Sequence, residues 1–333
     1  MEHDYDIECA GNVSERIYHQ LTEYFIPALS QNVPRYKKIS ITCPTSDIEF
    51  HPQAVGAGLS CGVDSFYTVL KNLRHAKGSR LRLTHLCCFN VGAFQKRKEF
   101  AQSVYLESVK AFEPVAKELG CEFFTCDSNV SSFLSQSHLR THSLRTLSVP
   151  LAVQKLFSLY YFSSGYQYSK FHINDHDTAD YDIFTLPLLS NQNVRFELVG
   201  GEVTRLGKLE YLTRHEITRR HLNVCNDSKN GGNCSVCGKC IRTMLELDLL
   251  GKLDDYSAVF DTEKFRKRKR RYIWAAVCER RQADMAEIVR ELRQRGQIGI
   301  IDYAVGYAMR LAEMLAEKFG FLSAMKKMYE RHI

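Results

Sequence analysis

The 333-residue chain has no stretch of about 18 uncharged apolar residues, the length a membrane-spanning helix needs, so no membrane partner is expected. Its opening, MEHDYDIECAG, is acidic and lacks the apolar core of a secretory signal. Twelve cysteines are too sparse for a disulfide scaffold of this size. Together these absences predict a protein of the reducing cytoplasm. The composition, 44% hydrophobic and 25% charged, excludes disordered, collagen-like and low-complexity classes. No internal repeat is present.

The charge is there but unevenly placed. Of a net +7, residues 263–333 carry 17 Lys/Arg against 9 Asp/Glu, while the first 262 residues carry 28 against 29. The densest run is Lys264 to Arg271, KFRKRKRR. Such a run can grip nucleic acid through counterion release, meet an acidic protein partner, or form a solvated helix face.

The apolar spacing predicts a helix over 13–27 stopped by Pro27, strands over 37–43, 54–60, 81–89, 121–126 and 170–174, and helices from Asp64 and over 97–119. Residues 146–162 are apolar almost all round and predict a buried helix with Pro150 in its first turn. FELVGG (196–201) is strand-like. Beyond Cys240 helices are expected over 241–251, 272–295 and 302–318, followed by the closing FLSAMKKMYERHI. Strands alternating with helices predict an α/β fold with a doubly wound, mostly parallel sheet. The expected organisation is an N-terminal extension (1–50), a main domain (51–255) and a helical basic region (256–333).

The first chemical motif is Ser60-Cys61-Gly62-Val63-Asp64-Ser65, between a predicted strand and a predicted helix. Helix-start N–H groups and the helix dipole favour an anion there, with Ser60 and Ser65 as hydroxyl donors and Gly62 allowing close approach. Asp64 suits a helix cap or a bound Mg²⁺. The alternative is a plain capped turn. The Walker pattern GxxxxGK[ST] is absent at this position.

The second motif is Cys225-x8-Cys234-x2-Cys237-x2-Cys240, with a glycine-rich KNGGN stretch between the first two. Four thiolates can surround Zn²⁺ at about 2.3 Å; a closed four-cysteine site serves folding rather than catalysis. An iron–sulfur cluster is the rival.

SCGVDS resembles the SGGxDS loop of the PP-loop, or N-type ATP pyrophosphatase, superfamily, whose fold is adenine nucleotide alpha hydrolase-like. Cys61 stands where that family has a glycine. The loop combined with the downstream cysteines resembles the 7-cyano-7-deazaguanine synthase family, over about Ala54 to Arg242. That family converts 7-carboxy-7-deazaguanine to the nitrile, with ATP and ammonia, in queuosine biosynthesis. The resemblance implies ATP and Mg²⁺ at Ser60–Ser65, an adenylated carboxylate, and attack by ammonia or an amine. It further implies phosphate-facing roles for Lys208 and Arg145, with Arg205 a lesser candidate. Each also reads as an ordinary helix cation. Asp175–Asp182, with four carboxylates, would hold Mg²⁺ or a guanine-like base, although Ile183-Phe184-Thr185 departs from the family's Cys-Arg. His85, His142 and His221 read as packed or surface histidines, and Cys87 and Cys88 as core. Two other functions stay open: a tRNA-modifying enzyme that adenylates a base carbonyl, and a nucleotide-sensing or partner-binding subunit without turnover. A homodimer is compatible with all three.

Overall fold

The computed structural model describes residues 1–94, 101–134, 136–225 and 232–318. The KNGGN stretch lies largely outside the described residues, as do the first turn of the helix expected from 97 and all of the closing segment. By packing, the chain divides into two compact units, Met1–Ser60 with Asp64–Val203, and Cys61–Val63 with Thr204–Ile333.

The first unit is built on five parallel strands: Ala54–Gly58 (β3), His85–Asn90 (β4), Glu122–Asp127 (β5), Phe157–Ser163 (β6) and Arg195–Val199 (β7). A separate parallel pair joins Ile7–Glu8 (β1) to Ile41–Thr42 (β2), so only the last third of the strand expected over 37–43 forms. The main sheet runs β5-β4-β3-β6-β7. The chain first steps outward from β3 to β5, then returns to the other side of β3 for β6 and β7. Right-handed crossovers in two directions place the connecting helices on opposite faces. The expected α/β architecture holds, and among the described residues the five-stranded sheet is wholly parallel.

Flanking the strands are Val63–Leu73 (α3), Ala101–Glu118 (α4), Val130–Phe133 (α5), His138–Ala152 (α6) and Asp182–Leu189 (α7). Gly120, at φ +66°, ends the turn after α4 as the sequence implies.

The expected buried helix over 146–162 is corrected. The helix ends at Ala152, Pro150 lies in its last turn, and the aromatic half FSLYYFS is β6, next to the central strand. A strand buried on both faces is apolar on both, so its periodicity looks like that of a buried helix. The strand expected over 170–174 does not form. That segment follows a 3-10 turn at Tyr168–Lys170, and His172 N–H donates to the Asp180 carbonyl (3.2 Å) instead of a ladder.

Pro27 does not stop the first helix. Glu15–Gln20 (α1) passes through a π-turn at Leu21–Phe25 into Ile26–Asn32 (α2), and Pro27 falls in the first turn of α2, where a missing N–H costs nothing. Phe25 and Leu29 pack with Tyr181, and Gln20 Nε2 donates to the Leu188 and Ser190 carbonyls (2.7 and 3.0 Å). The first 50 residues are therefore fastened onto α7.

The aromatic core explains the small residues of β3. Phe157 and Tyr160 both face Gly56, because the register shifts between Ala54↔Phe157 and Val55↔Leu159. One extra residue in β6 returns two odd-spaced side chains to one face. Phe89, Phe124 and Phe196 complete the ring cluster, with centroids 5.5–6.5 Å apart.

The second unit is helical: Arg205–Leu212 (α8), Glu216–His221 (α9), Gly238–Leu249 (α10), Thr262–Cys278 (α11), Ala283–Gln294 (α12) and Ile300–Lys318 (α13). The helix expected over 272–295 is two, broken at Glu279–Gln282, and the first of them starts ten residues earlier. Asp261 caps it by accepting from Lys264 N–H (2.9 Å). The basic run thus occupies the first turns of α11, whose other face buries Phe265, Tyr272 and Ile273.

Candidate functional site

Strand order reverses between β3 and β6, and in open parallel sheets ligands bind beyond the carboxyl ends of the strands at that reversal. The turn Ser60–Ser65 leaves β3 at its carboxyl end and enters α3. Ser65 Oγ accepts from Ser60 N–H (3.0 Å) and donates to the Gly58 carbonyl (2.9 Å), which ties the start of the helix back to the end of the strand. Asp64 and Ser65 stand in the first turn of α3.

Cys61 adopts φ +55° and is 3% exposed. Its carbonyl accepts from Asn223 N–H within the second unit (2.8 Å). This is the left-handed region that glycine enters freely, which accounts for a glycine at the corresponding place in the family the motif resembles. For cysteine the conformation costs about 1–2 kcal/mol. A glycine would relieve that, but would lose the buried thiol, worth about 1 kcal/mol, and add roughly 0.5–1 kcal/mol of backbone freedom when unfolded. The two sides nearly cancel. Cys61→Gly is expected to move the unfolding midpoint by no more than about 1 kcal/mol, whereas Cys61→Val, β-branched at positive φ, loses about 2 kcal/mol or more. Denaturant titration of the two variants checks this; equal losses would refute the strain.

Arg145 lies on α6 and is buried. Its guanidinium donates to Ser131 Oγ (2.9 Å) and to the Gln136 carbonyl (3.1 Å), tying both to α6. A side chain on Gly92, just past β4 at φ +115°, would fall 2.7 Å from Arg145 Nη1, so this arginine packs at the carboxyl edge of the sheet.

The acidic segment expected after a strand follows β6, through the loop from Ser164. Asn174 Oδ1 accepts from the N–H groups of His176 and Asp177 (2.7 and 3.0 Å) and shapes the turn. His142 Nε2 meets Asp177 Oδ1 at 2.9 Å. Burial pushes Asp177 up, but His142 and the Ala179 N–H outweigh it and hold the carboxyl below its usual range. His142 is thus a positioned partner rather than an isolated histidine. The comparable acid Asp182 is 1% exposed, and neither of its oxygens has a hydrogen-bond partner of good geometry. Burial raises it to about 6, with Ser143 and His142 pulling the other way.

Asp182 binds its proton more tightly folded than unfolded. Its contribution to stability is therefore full below about pH 4 and is lost as pH rises through 6, on the order of 3 kcal/mol in all. Asp182→Asn is expected to unfold later than the parent at pH 8 and no later at pH 4. Thermal melts at the two pH values check this; parallel pH profiles for the two proteins would contradict it.

The metal-ligand candidates come together in the second unit. The Sγ atoms of Cys225, Cys234, Cys237 and Cys240 all lie within 4.8 Å of one another. Cys225 and Cys237 are 3.8 Å apart, and Cys234 and Cys240 3.9 Å. A tetrahedron with bonds of about 2.3 Å has sulfur–sulfur edges of about 3.8 Å. The four cysteines can therefore hold a metal ion such as zinc. Cys237 N–H points at Cys234 Sγ (3.3 Å), and Ser235 at φ +60° makes the turn between them. The hydrogen bond between Cys240 and Cys237 lowers Cys237 and raises Cys240, so one thiolate is favoured even before a cation arrives.

The sequence reading missed Asn233. Its Oδ1 accepts from Val224 N–H (2.9 Å), and its Nδ2 donates to the Leu222 and Val259 carbonyls (2.8 and 3.1 Å). It holds the segment 222–224, which leads into Cys225, against the Cys234 turn. The signal available was an asparagine directly before CSVCGKC.

Lys208 is buried on α8 and Arg205 lies one turn earlier. Arg205 Nη2 donates to Thr243 Oγ1 (3.0 Å), and its Nε lies 3.3 Å from the buried Glu246. Burial raises Glu246 to about 7, opposed by Arg205 and Arg242. Three cations of the α11 run also pair with acids of their own unit. Lys269 pairs with Asp248 (2.7 Å), Arg270 with the buried Asp302 (2.6 Å), and Arg266 with Asp254 and Glu263. The charge available for a partner is smaller than the run KFRKRKRR suggests. Among the described residues no helix is long and apolar enough to cross a membrane.

Searches of protein-family models, of curated proteins and of solved structures find no match to this chain.

Proposed function

We propose that the chain is an ATP pyrophosphatase of the PP-loop type, with the Ser60–Ser65 turn receiving the β- and γ-phosphates of ATP and Mg²⁺. The observation that carries this is position. The turn follows the central strand at the one place where strand order reverses, and opens a helix with two hydroxyls and an αL residue in the glycine position. The acidic segment 175–182 follows β6, the other strand of that reversal, and suits recognition of a purine-like base edge.

In the reaction a substrate carboxylate oxygen attacks the α-phosphorus. The α–β bridging oxygen leaves with pyrophosphate, and the acyl-adenylate remains. Ammonia then attacks the acyl carbon, AMP departs, and an amide nitrogen is in place on the way to a nitrile. The chain supplies hydrogen bonds to the departing pyrophosphate and orientation, with no covalent nucleophile of its own. The metal centre shapes the second unit and takes no part in the chemistry. A 7-carboxy-7-deazapurine is the proposed substrate class.

The test is product analysis with ATP, Mg²⁺, ammonia and 7-carboxy-7-deazaguanine. AMP and pyrophosphate formed only with the deazapurine, and lost in Ser65→Ala, are the expected result. ADP formation, or no cleavage with any carboxylate offered, would overturn the proposal. AMP formation that needs tRNA instead would move the acceptor to nucleic acid.

A further inference from the structure

Within the second unit, α13 and the turn that follows α11 border a groove of about 210 Å³. Three guanidiniums line it: Arg280 and Arg281 from the turn, and Arg310 from α13. Between them stand Tyr307, Leu311 and Met314, spaced four and three residues apart on α13 and 54%, 59% and 48% exposed. The cations are held in place without being neutralised. Arg280 lies over the Tyr307 ring, 4.0 Å from its centroid, and donates one N–H to the Val277 carbonyl (2.9 Å). A guanidinium stacked this way keeps its edge N–H groups for a carboxylate. Arg310 Nη1 donates to Glu313 (3.3 Å), but Glu313 also accepts from the Cys278 thiol (3.4 Å), and Arg310 Nε is buried with no partner among the described residues. Arg281 is exposed and makes no ion pair among the described residues. Burial, then Glu313 and Glu279, push the Cys278 thiol of the groove up to about 12. Two acids thus stand beside three cations, and the groove stays positive.

We infer that this groove receives an acidic amphipathic helix of another protein, with an apolar side chain seated among Tyr307, Leu311 and Met314 and carboxylates beside it on Arg280, Arg281 and Arg310. The groove is smaller than the roughly 300–1,000 Å³ of a small-molecule site, and its volume suits one or two side chains. The exposed stripe of α13 continues past it to Leu315, which gives a helix laid along α13 an unbroken apolar track. Charge decides what that helix carries. An apolar helix without acids would cover the guanidiniums and leave them unpaired. A second copy of the chain would bring its own three arginines to a two-fold contact centred here, setting like charges against each other. Nucleic acid would meet the cations with phosphates, but Leu311 and Met314 lie between those cations and give a sugar–phosphate backbone no polar contact.

The test is binding of three fluorescein-labelled helical peptides to the full chain, read by polarisation. The first sets leucines three and four residues apart among glutamates. The second replaces its glutamates by glutamines, and the third replaces its leucines by serines. The glutamate–leucine peptide is expected to bind about 10-fold or more tightly than either control. Arg281→Glu and Leu311→Ser are each expected to weaken it by about 10-fold or more, with helical circular dichroism and metal content unchanged. Lys267→Glu, an exposed cation of the α11 run outside the groove, is expected to change it less than about 2-fold. Equal binding of the serine peptide would reduce the site to plain charge, and equal binding of the glutamine peptide to a plain apolar face; either overturns the inference. No binding of any peptide up to about 1 mM overturns it as well. A loss on Lys267→Glu as large as on Arg281→Glu would move the contact to the α11 run. Flotation with phosphatidylserine vesicles that Arg281→Glu abolishes, in the absence of peptide binding, would give the face to a membrane instead.

Discussion

Cys237→Ser is expected to release the metal and lower the thermal midpoint by more than about 10 °C. Four sulfurs from two separate segments meet with edges matching a zinc tetrahedron, and structural zinc binds with an apparent 10–16 kcal/mol or so, comparable to the whole stability of a domain. Serine offers a hard oxygen that is not deprotonated at neutral pH, so a three-thiolate site remains. The second unit is not expected to unfold outright at 20 °C. Met244, Leu245, Phe265, Ile273, Ile288 and Leu292 are buried among α10, α11 and α12, and their core does not depend on the ion. The loss concentrates between Leu222 and Cys240, where new protease cuts should appear. Asn233→Ala, which keeps all four sulfurs, is expected to retain the metal with roughly 10–100-fold weaker affinity. Elemental analysis and chelator competition check both variants. A parent protein that binds no zinc when refolded with it, and a Cys237→Ser variant with an unchanged midpoint, would end the case for a metal centre.

Gly56→Val is expected to cost the first unit about 3 kcal/mol or more, near the upper end of overpacking losses. Even the first side-chain carbon at this position would lie 2.8 Å from Phe157 Cε1 and 2.9 Å from Tyr160 Cδ2. Neither ring can retreat. Phe157 stands edge-on to Phe124 and Tyr160, and Tyr160 lies flat on Phe89 with planes 21° apart. Valine is otherwise a better strand former than glycine by up to about 1 kcal/mol, so propensity favours the substitution and packing opposes it; packing wins by the larger magnitude. Gly56→Ala is expected to lose about 1–3 kcal/mol. Denaturant unfolding followed through tyrosine fluorescence provides the comparison, and a valine variant as stable as the parent would show that the rings can move aside.

Much of this was legible in the sequence. The small, apolar AVGAG followed by SCGVDS marked a buried strand, a turn and a helix, and those three are β3, the loop and α3. CSVCGKC marked a metal knuckle because two-residue gaps suit tetrahedral thiolates. Gly120 and Gly251, at the ends of the helices expected over 97–119 and 241–251, both take positive φ. The failures have a common cause. Residues 157–163 were read as helix because a central parallel strand is covered on both faces and shows no alternation. KFHIN alternates, but the His172 N–H inside it is taken by the Asp180 carbonyl of the turn that follows rather than by a neighbouring strand. KFRKRKRR left a solvated face, an acidic partner and nucleic acid open, and three of its cations, Arg266, Lys269 and Arg270, pair with Asp254, Asp248 and Asp302, which sit 12 to 32 residues away.

The sequence by itself determined local chemistry: which turn can accept an anion, which four sulfurs can share an ion, and where helices are capped. These depend on neighbours within a few residues, whose geometry the chain fixes directly. Only the tertiary structure decided that the loop stands at the reversal of strand order, that Asp182 loses water and holds its proton to a higher pH than a free carboxyl, and that Cys61 takes the glycine conformation. Each of these depends on which distant residues exclude solvent or occupy space, and burial is a property of the packed whole that no local window contains.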